Sequence, residues 1–385
     1  MRIQPFEAAV RQELLDDLCR RLELSRWPDW PLTEPWSEGP DRAYLEELLA
    51  RWRRGFDWRR QEARLNRHPQ FRAEIRGLGV HFIHERGRGP RPLPLVITHG
   101  WPGSVFEMLE LIPRLTDPGA YGADPRDSFD VVVPSLPGYG FSDPPREEGM
   151  NPAAVAALWH ELMTEGLGYQ RFGAQGGDWG ATVATRLAML RPESLAGIHL
   201  NYLPGSYSPW LDDGPILSPA EREFLGRRDA WLEDEGAYAH IHRTKPLTAA
   251  YGLHDSPLGL AAWMVEKFRD WADCGGDLSS RFDYDEILAM VTLYWVTGTI
   301  GSSMRLYREG SRNPLRLARG ERVTVPMGMA LFPAETPASP PREWAERGYD
   351  VRRWEVMPRG GHFAAWEEPD LLAGEIRGFF RHFRT

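Results

Sequence analysis

From Leu93 onward the chain alternates strand-like and helix-like segments, stops doing so after Leu200, and resumes at Val323. Short apolar runs bounded by turn residues predict strands over 93–98, 130–133, 171–174, 195–200, 323–331 and 351–356. Helical spacing predicts helices over 104–115, 153–165, 179–190 and 371–380. This alternation dictates an α/β fold: a mostly parallel central sheet with helices on both faces. Ligands of such sheets bind outside the carboxyl ends of the strands. The interruption is helical and aromatic, with Trp231, Tyr238, Trp263, Trp271, Tyr294 and Tyr307. Inserted after the fourth strand, it is placed to cover that edge as a lid. The expected organisation is an N-terminal arm (1–90), a first core segment (91–205), a helical lid (206–315) and a second core segment (316–385).

The arm reads as helices over its first 60 residues, since Leu14, Leu15, Leu18 and Leu22 recur at helical spacing, as do Leu45, Leu48, Leu49 and Trp52. Phe71 to Ile75 and Val80 to Glu85 flank Gly77-Leu78-Gly79 and predict a hairpin. A net charge of −9, without a basic cluster interleaved with aromatics, excludes a nucleic-acid surface. The arginines between Trp52 and Arg64 are interrupted by Phe56, Asp57, Trp58 and Glu62, as on a solvated helix face. Cys19 and Cys274 make neither a metal nor a redox spacing. Ile287 to Met304 carries no charge, yet its threonines, serines and glycines suit a buried helix better than a membrane span. Only Lys245 and Lys267 are lysines among 46 basic residues, a bias expected of a GC-rich, bacterial coding genome.

Gly176-Gly177-Asp178-Trp179-Gly180 has the small-x-nucleophile-x-small form of a nucleophile elbow, with aspartate where esterases carry serine. Taken alone, the pentad fits a helix-capping aspartate equally well. Its company favours chemistry. His99-Gly100-Trp101-Pro102-Gly103-Ser104 follows the first core strand, where the α/β-hydrolase fold holds an oxyanion loop. The backbone N–H groups of Trp101 and Trp179 are expected to converge on one oxygen. His362 follows the last strand, and Glu335 is the first carboxylate after the strand before it. Asp350 is the nearest rival, but it opens the last strand at the wrong edge of the sheet. The order Asp178, Glu335, His362 is the hydrolase order of nucleophile, acid and histidine. A carboxylate, already ionised near neutral pH, attacks an sp³ carbon to give a stable alkyl ester, whereas attack on an ester would give an unstable anhydride. His362 is then free to activate water against the ester. Strained epoxides and alkyl halides are the fitting electrophiles.

These segments together resemble the microsomal-type epoxide hydrolases, including juvenile hormone and fungal relatives, over nearly the whole chain. The likeness runs through Ile3-Gln4-Pro5-Phe6, Phe56-Asp57-Trp58-Arg59 and Asn66-Arg67-His68-Pro69-Gln70-Phe71. It continues through the His99 loop, Pro137-Gly138-Tyr139-Gly140-Phe141-Ser142, the Asp178 pentad and Gly360-Gly361-His362-Phe363-Ala364-Ala365. The resemblance implies two lid tyrosines that hold and protonate the epoxide oxygen, matched here by Tyr238 and Tyr307, with Tyr294 a decoy for the second. It implies a small lipophilic epoxide as substrate, with no cofactor, metal or nucleic acid. His240 and His242 would share a face only on a strand, and their surroundings read as helical. Animal microsomal members carry an N-terminal membrane anchor; Met1 to Glu7 has no such apolar stretch, so a soluble, cytoplasmic location is expected. A haloalkane dehalogenase and a catalytically silent ligand-binding hydrolase fold are the rival readings.

Overall fold

Nine strands form one sheet among the described residues: β1 (Arg2–Phe6), β2 (Gln70–Ile75), β3 (Leu78–Glu85), β4 (Leu93–Thr98), β5 (Phe129–Pro134), β6 (Phe172–Gly176), β7 (Leu195–Leu200), β8 (Val323–Leu331) and β9 (Tyr349–Val356). Their order is β1-β2-β3-β5-β4-β6-β7-β8-β9. The six strands from β5 to β9 pair in parallel, while β1, β2 and β3 extend the sheet in antiparallel fashion. This architecture comes from a computed structural model that describes residues 1–31, 33–211, 217–337 and 339–384.

The central strands are buried on both faces, which is why they read as continuous apolar runs. Two helical layers cover them. The helices Pro152–Glu161 and Asp178–Leu190 pack together, as do Leu111–Thr116 and Pro369–Phe380. On β6, Gly173 faces Phe380 of one layer, and Gly176 lies against the start of the Asp178 helix in the other.

Two local expectations need correction. The start of the arm is not helical: Arg2–Phe6 forms β1, whose Phe6 ring packs 4.9 Å from His81 and 5.2 Å from Phe141. Its five residues, with Pro5 among them, are too short for a periodic signal, and proline is tolerated because β1 is an edge strand. The helix expected over 104–115 is split into a tight turn, Val105–Met108, and a helix, Leu111–Thr116. One continuous helix would place Pro113 in its interior, where the missing N–H and the ring break the ladder; the split moves Pro113 into a first turn.

Between β7 and β8 the chain forms helices at Pro219–Asp234, Ala237–Thr244, Pro246–Asp255, Pro257–Trp271, Tyr284–Thr297 and Ile300–Arg312. Residues 212–216 of the expected 206–315 segment lie outside the described residues. The uncharged stretch is divided between Tyr284–Thr297 and Ile300–Arg312, which meet at 88°, with most of the first helix buried. No single helix among the described residues is long and apolar enough to cross a membrane. The arm fastens this insertion. Trp52 Nε1 donates to Thr292 Oγ1 at 2.8 Å, Arg51 pairs with Asp285 and Tyr284 donates to Glu47. The Trp27–Pro40 loop contributes Trp36, which packs on Tyr44 and lies under the Arg269 guanidinium.

Candidate active site

Asp178 sits where β6 turns into the Asp178–Leu190 helix, and the turn is too tight for ordinary residues. A Cβ on Gly180 would fall 1.9 Å from the Thr98 carbonyl oxygen. The turn forces Asp178 to φ +45°, a left-handed conformation that a non-glycine residue adopts at a cost of about 1–3 kcal/mol. Gly177, not Asp178, occupies the N-cap, so the capping alternative does not describe the structure. The carboxylate points instead at the loop after β4. Oδ1 accepts the Trp101 N–H at 2.8 Å, and the Trp179 N–H also donates to this carboxylate. Gly100 permits the approach: a Cβ there would meet Asp178 Oδ1 at 2.4 Å. His99 holds the loop in place, with Nε2 accepting the Leu136 N–H at 3.1 Å.

His362, after β9, brings Nε2 to 3.9 Å from Asp178 Oδ2. Its Nδ1 is 2.6 Å from Glu335 Oε1, after β8. The histidine backbone is pinned by its N–H to the Trp271 carbonyl at 2.9 Å. Asp350 does not approach the site; it pairs with Arg352 on β9. Burial pushes the Asp178 carboxyl up, opposed by the His362 charge and the two N–H donors. Burial alone would lower the His362 imidazole, but Glu335 above all, then Asp178 and Glu107, outweigh it and hold it at about 9.

The tyrosines come from two helices that pack against each other, Ala237–Thr244 and Ile300–Arg312. The Tyr238 ring stacks on Trp101, with centroids 5.4 Å apart and planes at 11°. Tyr307 meets Trp179 edge-on at 4.8 Å and Tyr238 at 5.9 Å. Burial raises both hydroxyls far above the usual phenol value and Asp178 raises them further; their coupling lowers Tyr238 at the expense of Tyr307. Tyr294 is held elsewhere: its hydroxyl donates to the Gly103 carbonyl at 2.8 Å. His240 is on the outer side of its helix, beside Arg243, whereas His242 is buried beneath Tyr307 with its Nε2 against the Trp263 indole N–H.

A small cavity adjoins Asp178 and His362, and Glu107, Gln175 and Asn201 help to line it. A larger groove at the amino end of β4, lined by arginine and aspartate, contains none of these residues. Sequence reasoning missed Glu107. Its carboxyl is held up at about 8 by burial, and one oxygen accepts the Ser104 N–H at 2.9 Å. The Ser104-x-x-Glu107 spacing of a capping box could have drawn attention to it. Asn201 and Gln175, hydrogen-bonded to each other at 2.9 Å, carry no comparable signal.

Comparison with known proteins agrees with this architecture. A family model described as the epoxide hydrolase N terminus matches residues 3–108, and one described as the alpha/beta hydrolase fold matches residues 94–240. A Stigmatella aurantiaca protein provisionally named an epoxide hydrolase is 47% identical, over 100% of this chain and 86% of its own length. Epoxide hydrolase 1 of Sus scrofa is 38% identical, over 98% of this chain and 88% of its own. The crystal structure of juvenile hormone epoxide hydrolase from Bombyx mori superimposes with a TM-score of 0.84 at 32% identity, covering 100% of this chain and 94% of that one. With its α/β-hydrolase core, its aspartate elbow and full-length likeness to these enzymes, the chain belongs to the epoxide hydrolase family.

Proposed function

We propose that this protein adds water to small lipophilic epoxides to give vicinal diols through a covalent ester on Asp178. Asp178 Oδ2 attacks an epoxide carbon while Oδ1 stays under the Trp101 N–H. The C–O bond breaks, and the oxygen takes a proton from Tyr238 or Tyr307. His362 then removes a proton from water as that water attacks the ester carbonyl, with Glu335 orienting the imidazole. The Trp101 and Trp179 N–H groups hold the tetrahedral oxyanion. The ester C–O bond breaks, and the departing oxygen takes the proton of the hydroxyl that water delivered and leaves as the diol. The proton held by His362 returns to the tyrosinate, which restores the Asp178 carboxylate, the imidazole and the tyrosine. The helices between β7 and β8 act as the lid, and Trp101, Trp271, Tyr238 and Tyr307 give it an apolar, aromatic interior suited to lipophilic substrates.

A single observation carries this reading: one carboxylate is held by two backbone N–H groups on one side and faces a Glu335-backed histidine on the other. The test is a single turnover in heavy-oxygen water with enzyme in excess. The first diol should carry unlabelled oxygen, and the label should appear on the Asp178 carboxylate. Label in the first-turnover diol would mean direct attack by water and would overturn the covalent route.

One observation supports the dehalogenase alternative. The indole N–H groups of Trp101, Trp179 and Trp271 are buried without hydrogen-bond partners among the described residues, and such donors suit a departing halide. A bromoalkane run beside the epoxides decides between them. Halide release at a rate comparable with diol formation would favour the alternative.

A further inference from the structure

None of the four backbone N–H groups from Gly360 to Phe363, the turn that carries His362, bonds to the backbone of the turn itself. Gly360 donates to Asp273 Oδ2 at 2.8 Å and Gly361 to Glu367 Oε2 at 2.9 Å. His362 donates to the Trp271 carbonyl at 2.9 Å and Phe363 to Glu367 Oε1 at 2.9 Å. Glu367 thus grips the residue on either side of His362. Its Oε2 accepts a third N–H, from Asp273 at 2.8 Å, and Asp273 belongs to the insertion between β7 and β8, just past the Pro257–Trp271 helix. We propose, on the reading that His362 activates water, that Glu367 is a positioning residue for that step and that its bond to Asp273 makes the seat of the imidazole depend on how the insertion docks.

A local role does not account for this arrangement. A glutamate that only closed its own short helix, Ala364–Glu367, would need the Phe363 N–H alone. Glu367 is instead buried, where a carboxylate is costly unless its oxygens are hydrogen-bonded. Burial pushes its carboxyl up to about 7, and the three N–H donors act against that rise. Both oxygens are engaged, so an amide here would turn its own N–H groups towards at least one donor. The insertion also approaches the turn closely: a Cβ on Gly361 would fall 2.6 Å from the Trp271 carbonyl oxygen and 2.8 Å from the Asp273 nitrogen. Arg281 closes the junction by donating to the Asp273 carbonyl at 2.9 Å and to Glu368 at 3.0 Å. The consequence is positional. The imidazole keeps Nδ1 2.6 Å from Glu335 while Nε2 faces Asp178 at 3.9 Å, and a misplacement of about 1 Å is enough to cost about 10²-fold in rate. Trp271 packs on His362, with centroids 5.0 Å apart, and on Tyr238 at 5.3 Å, so the segment that seats the histidine also touches the proposed proton donor.

The inference is tested with styrene oxide by stopped-flow measurement of ester formation and ester hydrolysis. Glu367→Gln should slow hydrolysis about 10- to 100-fold, the scale of a misplaced catalytic group. Ester formation, which uses Asp178 and the tyrosines, should keep its rate, so protein plus one substrate mass accumulates. Asp273→Ala frees the Gly360 N–H and should slow hydrolysis by a smaller factor. Asp273→Asn retains an acceptor for that N–H and should restore most of the rate. In a His362→Gln background, Glu367→Gln should leave the lifetime of the ester unchanged, because it acts only through the imidazole. Equal slowing of both steps, wild-type hydrolysis in Glu367→Gln, a reduced amplitude at unchanged rate constants, or a further change in the His362→Gln background would each overturn the role of Glu367. Wild-type hydrolysis in Asp273→Ala would overturn the tie to the insertion. If His362→Gln itself hydrolyses its ester as fast as the wild type, the reading of His362 as the base fails instead. Should Glu367→Gln not fold, Glu367→Asp, which keeps both acceptor oxygens on a shorter arm, is held to the same criteria beside the two Asp273 variants.

Discussion

At the residue scale, the charge on Asp178 sets the state of His362. With Asp178 ionised the imidazole is held at about 9 and is protonated at neutral pH, the wrong form for a base. In the proposed cycle, ester formation on Asp178 removes one of the carboxylates that hold His362 up, so its affinity for a proton falls at the step that uses it as a base. The hydrolysis step should therefore accelerate as pH rises towards 9, while ester formation should weaken at low pH as the Asp178 carboxyl, itself raised, takes a proton. Separate pH profiles of the two steps check this; a hydrolysis rate that falls across that range would contradict it. Glu335→Gln should move the hydrolysis profile to lower pH, because the main group raising His362 is gone. In His362→Gln no base remains, so intact-mass spectrometry should find protein plus one substrate mass, absent from Asp178→Ala. Tyr238→Phe and Tyr307→Phe should each slow ester formation, and the double variant should approach a loss of about 10²–10⁴-fold, typical of general-acid assistance. Ester hydrolysis should be unaffected, since by then the alkoxide is a hydroxyl.

At the scale of elements, the strand–turn–helix at Asp178 works because neighbouring backbones are almost in contact. Gly180→Ala adds a methyl against the Thr98 carbonyl and should cost about 1–3 kcal/mol or more through forced backbone shifts. Urea denaturation would show it, along with loss of activity. The arm–insertion contact makes a different prediction. Exposed pairs such as Arg51–Asp285 contribute about 0–1 kcal/mol at most. The buried Trp52–Thr292 hydrogen bond matters more, because Trp52→Phe leaves the Thr292 hydroxyl without its partner and should cost about 1–3 kcal/mol. Ester formation should be preserved in that variant, because neither residue faces Asp178. A large loss of activity at unchanged stability would instead tie the arm to the chemistry.

At the scale of the whole molecule, buried titratable groups bracket the pH of greatest stability. Burial lowers His81, His199 and His242 to about 3 and His99 to about 4, so their contribution is present above the unfolded histidine value of about 6.5 and is lost as pH falls. His362 at about 9, Glu107 at about 8 and Glu367 at about 7 are raised, so their contribution is present at lower pH and is lost as pH climbs through those values. The melting temperature should peak near neutrality and fall towards pH 9. Glu107→Gln, which keeps the acceptor for the Ser104 N–H, should flatten the alkaline fall; an equally steep fall in that variant would remove Glu107 from the account.

The layered sheet, the position of the insertion and the order of Asp178, Glu335 and His362 were legible in the sequence, because each is written in local patterns of apolar runs, small residues at a turn and carboxylates after strands. The capping alternative for Asp178 was not resolvable there: it depends on whether the carboxylate turns back to its own helix or across to the Trp101 N–H, and that is a contact between segments 77 residues apart. β1 was invisible because a five-residue edge strand has no period to detect and exists only through its pairing with β2. Glu107 was hidden for a related reason. A charged side chain in a helical segment reads as surface, and only tertiary packing removes Glu107 from water and sets it against His362. Local chemistry was determined by the sequence; the pairing, burial and charge balance that tune it arise only when distant segments share one low-dielectric interior.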